Sequence, residues 1–293
     1  MSRIKADFLL ILTAIIWGTA FVFQKTAMDN IGPFTFIATR FWLSAFAVFP
    51  LAYQELSKRD RSVISKNAFG ILLLGFVFVL GVTLQQLGME YTTVTNAGFL
   101  TGLYAIFTPF FAWLIFRQRP VVIIWISAIF SVFGVWLLGG ASSLSLNSGD
   151  ILVIGCACFF AIHTLLISHL VRRLRTPLSI AFCQYTMCAT ISLAIAMSTE
   201  TVTLSGLRMA GPAILYAGLL SGGVAYTLQM VAQQYTLPSD AGIILSSESL
   251  FAALAGVFYM GDRLSPIAWI GCGIVALSIL LIEVAPILRK TTV

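Results

Sequence analysis

Ten apolar runs, each about long enough to cross a bilayer, follow one another along the chain with short polar breaks between them. They fall at roughly 7–27, 33–53, 68–89, 95–116, 121–139, 150–170, 177–197, 210–232, 240–260 and 265–286. A helix needs about 20 apolar residues to span the hydrocarbon core, so each run predicts one transmembrane helix. The runs are too continuous for the strands of a membrane barrel, which alternate over about 10 residues. Pro33 and Pro177 open the second and seventh runs, where the missing N–H of proline costs nothing. Asn96 and Asp240 are predicted N-caps of the fourth and ninth helices. Pro109 predicts a kink in the fourth helix, because it cannot donate to the carbonyl of Ala105. Gly222-Gly223 predicts a soft point in the eighth.

The pattern is written twice. Thr83-Leu84-Gln85 returns as Thr227-Leu228-Gln229, Tyr91-Thr92 as Tyr235-Thr236, Ala97-Gly98 as Ala241-Gly242, and Trp125-Ile126 as Trp269-Ile270. One offset, 235 − 91 = 144 residues, relates all of them. Upstream the match weakens to Gly32-Pro33 with Thr176-Pro177 and Arg40 with Gln184. The chain therefore divides at 1–140 and 141–293 into two copies of a five-helix unit. Five is odd, so the second copy enters the membrane inverted. The expected fold is an all-α integral membrane protein of ten transmembrane helices in two inverted five-helix repeats, with any site at the seam between them.

Composition agrees with many spans: 59% of residues are hydrophobic and 10% charged, against roughly 25% charged in soluble domains. The net charge of +6 does not indicate nucleic acid, because the charges sit in short loops between apolar runs. With the N-terminus inside, the inner segments hold Arg3, Lys5, Lys58, Arg59, Arg61, Lys66, Arg117, Arg119, Arg172, Arg173, Arg175, Arg289 and Lys290, and the outer loops only Arg208 and Arg263. That bias predicts a multi-pass protein of the cell inner (plasma) membrane with both termini cytoplasmic. The first run is full span length and continues into further spans, so it reads as a helix and not as a cleavable signal. The five cysteines lie inside apolar runs without metal or disulfide spacing. No metal, no cofactor and no nucleotide-binding GxxxxGK[ST] loop is expected. An enzyme would need a clustered nucleophile and base, which the two histidines and scattered acids do not supply. The partners expected are a small-molecule substrate and the lipid bilayer, with no nucleic acid, for a monomer or homodimer.

Several residues carry a family resemblance. Trp17-Gly18 and Lys25 in the first helix, Pro33 and Arg40 in the second, and Ser247-Glu248, Phe251 and Gly261-Asp262-Arg263-Leu264 around the ninth resemble the ten-helix EamA-type branch of the drug/metabolite transporter superfamily. Ser249 stands where that family often has proline, and Asp262 where it has glutamate. The resemblance implies that helices 1, 3, 4, 6, 8 and 9 line a central cavity while 5 and 10 act as scaffold. Members move amino acids, sugars, nucleotide derivatives and drugs.

Ionisable groups inside a span cost roughly 2.5–3.5 kcal/mol on insertion scales and are functional candidates by default. Glu248 lies about eight residues into the ninth run, roughly 12 Å deep, and its repeat mate is Tyr104. A carboxylate there can hold an amino group, take up a proton, or link helices. Trp17, Phe21, Gln24 and Lys25 share one face of the first helix, and Lys25 is expected to lean into a hydrated cavity because side chains tilt toward the helix N-terminus. Arg40 tilts the other way and is expected to snorkel or to pair with Asp29, outside the substrate site. Gln85 and Gln229, mates in the repeat, are weaker candidates. His163 is a possible proton relay or a satisfied core histidine. Phe160 and Tyr226 add aromatic lining. The function expected is secondary transport, by alternating access, exporting a small amphipathic metabolite such as an amino acid. A broad drug or organic-cation efflux proton antiporter is the alternative.

Overall fold

The computed structural model describes residues 1–58, 65–117, 119–138, 146–260 and 263–290. Arg59, Arg61 and the Gly261-Asp262 part of the ninth-helix motif lie outside them. Among the described residues there are helices and connecting segments and no strand. Eight helices are long and apolar enough to cross a membrane, and two shorter apolar ones, Val122–Leu138 and Pro266–Ile282, bring the number to ten.

In chain order the spans are α1 (Arg3–Ala27), α2 (Pro33–Ser57) and α3 (Ala68–Tyr91). Next comes α4, in two pieces (Val94–Thr101 and Tyr104–Phe116), followed by α5 (Val122–Leu138), α6 (Ser148–Leu174) and α7 (Pro177–Thr199). The α8 span runs from Gly211 to Ala232 through a π-helical stretch at Tyr216–Tyr226. The α9 span is again divided (Pro238–Leu245 and Glu248–Ala255) before a π turn at Gly256–Met260, and α10 is Pro266–Lys290. Pro33 and Pro177 occupy the first helical turn, as expected. The expected caps of α4 and α9 differ. Thr93 caps α4 and receives the amide of Asn96, while α9 starts at Pro238 with Asp240 in its first turn.

The main helix pairings recur under exchange of the halves. Helix α2 packs on α7 and α5 on α10; α3 on α6 is matched by α8 on α1, and α3 on α7 by α8 on α2. Several close approaches use glycine, as expected where lipid gives no hydrophobic drive and backbone proximity supplies the attraction. A Cβ on Gly134 of α5 would lie 2.9 Å from the carbonyl oxygen of Gly271 in α10, and one on Gly88 of α3 would lie 2.8 Å from that of Gly149 in α6. Outward-facing Phe46, Phe69, Trp113, Met197 and Phe258 are exposed in the isolated chain, and these are the groups a bilayer would cover.

The ends of the bundle carry matched polar ties. Glu200, at the end of α7, accepts from the first-turn amides of Phe34 and Thr35 in α2, each at 2.8 Å. Glu55, at the end of α2, accepts from the amides of Leu178 (3.4 Å) and Ser179 (2.7 Å) in α7. Thr92 donates to Asp150 at 2.5 Å, and its repeat mate Thr236 donates to Asp7 at 2.7 Å. Both donors sit in the turns that follow α3 and α8.

Candidate functional site

The two divided spans set the site. In α4 the amides of Gly102, Leu103, Ala105 and Phe107 bond to the carbonyls of Gly98, Leu100, Gly102 and Leu103. In α9 the amides of Ser246, Ser247, Ser249 and Phe251 bond to those of Gly242, Ile244, Ser246 and Ser247. These four bonds recur 144 residues on; two in each set are i→i−3 steps, to which Ile106 bonding Leu103 O adds a third in α4, and they end one α segment and start the next. Ser246 and Ser247 each turn a hydroxyl onto the preceding turn, donating to Ile243 O and Ile244 O at 2.7 Å. The residues that open the second pieces are Tyr104 and Glu248. The divided backbone thus presents a phenol and a carboxylate at mated positions, both buried.

They face a small cavity of about 30 Å³. At 10–15 Å³ for each water, this contracted space holds a few waters and not a metabolite. Its wall contains Trp17, Phe21, Gln24, Gln85, Tyr104, Phe160, His163, Tyr226, Gln229 and Glu248, which the sequence singled out, together with Arg40, Thr164, Ser221 and Leu245. The lining side chains come from α1, α2, α3, α4, α6, α8 and α9.

Aromatic groups order the wall. Trp17 packs on Tyr226 with ring centroids 4.4 Å apart and donates its indole N–H to Ser221 O at 3.1 Å. That carbonyl lies in the π-helical part of α8. Phe78 supports the wall from behind, stacking on His163 at 5.0 Å and meeting Tyr226 edge-on at 4.9 Å. His163 Nε2 is 2.8 Å from Gln184 Oε1, so the ring is held by an amide in the core, with no carboxylate at that nitrogen. Gln85 donates to Thr101 at 3.3 Å, beside the break in α4.

Two expectations change. Lys25 does not reach the cavity wall: its Nζ donates to the carbonyls of Met89 (2.5 Å) and Thr92 (3.3 Å) at the end of α3. The tilt argument gave the direction along α1 but not the neighbour, and the frayed carbonyls at a helix terminus capture the ammonium first. Arg40 does the reverse. It is buried at 3% exposure, donates to Gln24 Oε1 at 2.8 Å, and lies over the rings of Phe36 (5.1 Å) and Phe41 (4.7 Å). It neither snorkels nor meets Asp29. The signal available in the sequence was its mate, Gln184, a second polar side chain at mid-helix. Thr164 was also readable, because the helices α1 and α6 match at 160 − 17 = 143 and not at 144. That register pairs Trp17 with Phe160 and Phe21 with Thr164.

Several buried polar atoms on the wall make no hydrogen bond in the structure: Nε of Arg40, Oη of Tyr104, Oε1 of Gln229 and Oε1 of Glu248. The Tyr104 phenol lies beside Glu248, close enough to interact with its carboxyl group. Arg3 forms ion pairs with Asp7 and Asp240, and among the described residues Arg40 and Glu248 form none. Unpaired buried groups of this kind are costly unless a ligand or water completes them. The described residues hold no group of His, Cys, Asp and Glu able to bind a metal ion.

Comparison with known proteins gives one family. Residues 4–140 and 147–284 each match the model of the EamA-like transporter family. An uncharacterized transporter of Archaeoglobus fulgidus is 33% identical over 97% of this chain and 87% of its own length. An uncharacterized transporter of Bacillus subtilis is 25% identical over 96% and 94%. A protein of Chlamydia muridarum named S-adenosylmethionine/S-adenosylhomocysteine transporter is 25% identical over 89% and 86%. A crystal structure at 16% identity superposes with a TM-score of 0.74 over 96% of both chains, which is a likeness of fold.

Proposed function

Because the chain belongs to the EamA-like transporter family, we propose that it is a secondary carrier that exports a small amphipathic metabolite, an amino acid or a compound built on one, by alternating access. The observation that carries this reading is the shared cavity wall of aromatic and unpartnered polar groups on two helices divided at mated positions. Divided helices flanking a site near mid-membrane are the construction many secondary carriers use, since a break lets each half tilt separately. The halves, 1–140 and 141–293, act as inverted repeats that exchange conformations. The π-helical stretch of α8 with Gly222-Gly223 provides the yielding segment. The contracted cavity is the occluded stage between the open ones, in the inner (plasma) membrane with both termini cytoplasmic. The carrier works as a monomer or homodimer, takes no cofactor and performs no chemistry on its substrate. The two substrates named for the Chlamydia relative both contain an α-amino-acid group, which agrees with this class.

A carboxylate in an aromatic wall also suits an organic cation, and Glu248 beside Tyr104 favours that second reading. Arg40 in the same wall opposes it, because a fixed positive charge repels a cation with no balancing anion. Counterflow in proteoliposomes decides. Vesicles preloaded with an unlabelled amino acid should concentrate the labelled one transiently, whereas exchange confined to quaternary ammonium compounds would establish the alternative.

A further inference from the structure

The cavity contains one cationic and one anionic side chain that do not meet. Arg40 is in the first half and Glu248 in the second, both 3% exposed, and neither has an ion-pair partner among the described residues. Tyr226 lines the same cavity as both. The guanidinium is steadied on two ring faces and by Gln24, and its Nε remains open. The carboxylate has an open Oε1 with the Tyr104 phenol beside it. A buried guanidinium and a buried carboxyl group that do not pair with each other each leave a polar group for a ligand to complete.

We propose that Arg40 and Glu248 form a two-pole site for the zwitterionic head of the substrate, with Arg40 binding its carboxylate and Glu248 its ammonium. This rests on the carrier reading above and adds which residue takes which end. Arg40 is suited to the carboxylate because its planar fork can donate two parallel hydrogen bonds. Glu248 accepts from the ammonium through the open Oε1, and Tyr104 can add a hydrogen bond. The substrate side chain then lies along Trp17 and Phe160. The head group enters in one orientation only, since reversing it would set like charges together at both poles.

Thermal shift and titration on purified protein test the assignment. The probes are the L-amino acids and S-adenosylhomocysteine, each with its carboxamide and its N-acetyl derivative. At least one parent compound should raise the melting temperature, and each capped form should bind tenfold or more weakly. Arg40→Gln copies the repeat mate and should abolish the preference for parent over carboxamide while keeping that over the N-acetyl form. Glu248→Gln should do the converse. If Arg40→Gln does not fold, Arg40→Lys should retain a reduced carboxylate preference, and the wild-type comparison stands without any variant. Equal binding of parent and capped forms overturns the proposal, as does failure of every parent to bind. So does loss of both preferences in both variants. Counterflow of a solute that is not zwitterionic would remove the two-pole site and leave the carrier reading intact. Specific binding of a zwitterion without exchange of any solute would do the opposite.

Discussion

At the scale of single residues, Glu248 is the group on which binding and energy coupling can converge, because a proton and a substrate ammonium relieve the same buried carboxylate. Glu248→Gln retains size and hydrogen bonding but cannot titrate. The variant is expected to exchange residual substrate at no less than a third of the wild-type rate at equal saturation, yet to lose all acceleration by an imposed pH gradient. Uptake into proteoliposomes with and without the gradient measures this, and acceleration that persists would assign coupling elsewhere. Lys25 has a different task. Its ammonium ties the end of α1 to two carbonyls at the end of α3, and charge-assisted bonds of this kind contribute roughly 1.5–3 kcal/mol. Lys25→Ala should lower the melting temperature and leave substrate affinity within twofold, as titration of the folded fraction would show. The eleven candidates came from depth and helix face, and ten of those side chains share one cavity wall. Lys25 and Arg40 were misplaced for one reason: their positions depend on a second helix, the end of α3 for one and Gln24 with the rings of α2 for the other.

Among the elements, the spans were legible because each must be apolar over bilayer length whatever it packs against. The breaks were not. Pro109 marked α4 as the helix to bend, but the interruption lies between Thr101 and Tyr104, and Pro109 sits inside the second segment. In α9 no proline or glycine announces the break; Ser246-Ser247 make it, with hydroxyls bonding the preceding turn. Serines are unremarkable in a membrane helix, so only the shared register of the two halves could have pointed there. Helix pairing is testable at α5 and α10. A Cβ on Gly271 would lie 2.5 Å from Gly134 O and 2.6 Å from the Leu138 amide, whereas Gly273 has nothing within 4 Å among the described residues. Gly271→Ala should destabilise by about 1–3 kcal/mol, the cost of overpacking a close contact, and Gly273→Ala by far less. Comparative melting in detergent would reveal the difference. Glu200→Ala removes the acceptor for two first-turn amides of α2 and should cost about 1 kcal/mol, as loss of an N-terminal cap does.

For the whole molecule, the prediction is opposite orientation of the halves. Ser57 closes α2 and Ser148 opens α6, and both are exposed. In a background lacking the five native cysteines, Ser57→Cys should react with an impermeant maleimide only from the cytoplasm and Ser148→Cys only from outside. Reaction of both from one side would end the inverted-repeat reading. Positive charge in the sequence predicts which side is cytoplasmic, whereas the reciprocal ties of α2 with α7 were invisible there. Glu55 and Glu200 are 145 residues apart and Asp7 and Asp150 are 143 apart, so neither follows the offset that aligns α3 with α8.

The differing mates have a consequence for descent and for direction. Under the two-fold relation, Arg40 corresponds to Gln184 and Glu248 to Tyr104. Two separate identical chains assembled around the same axis would have to place every side chain twice. They would hold two arginines or none, two glutamates or none, and a head group could lie across them either way round with equal ease. Joining the copies in one polypeptide lets each mutate alone. A permanent polarity across the cavity then becomes attainable, and the passenger faces the same way in every cycle. Tandem duplication, on this view, gave the carrier a compass that its unfused ancestor could not have possessed.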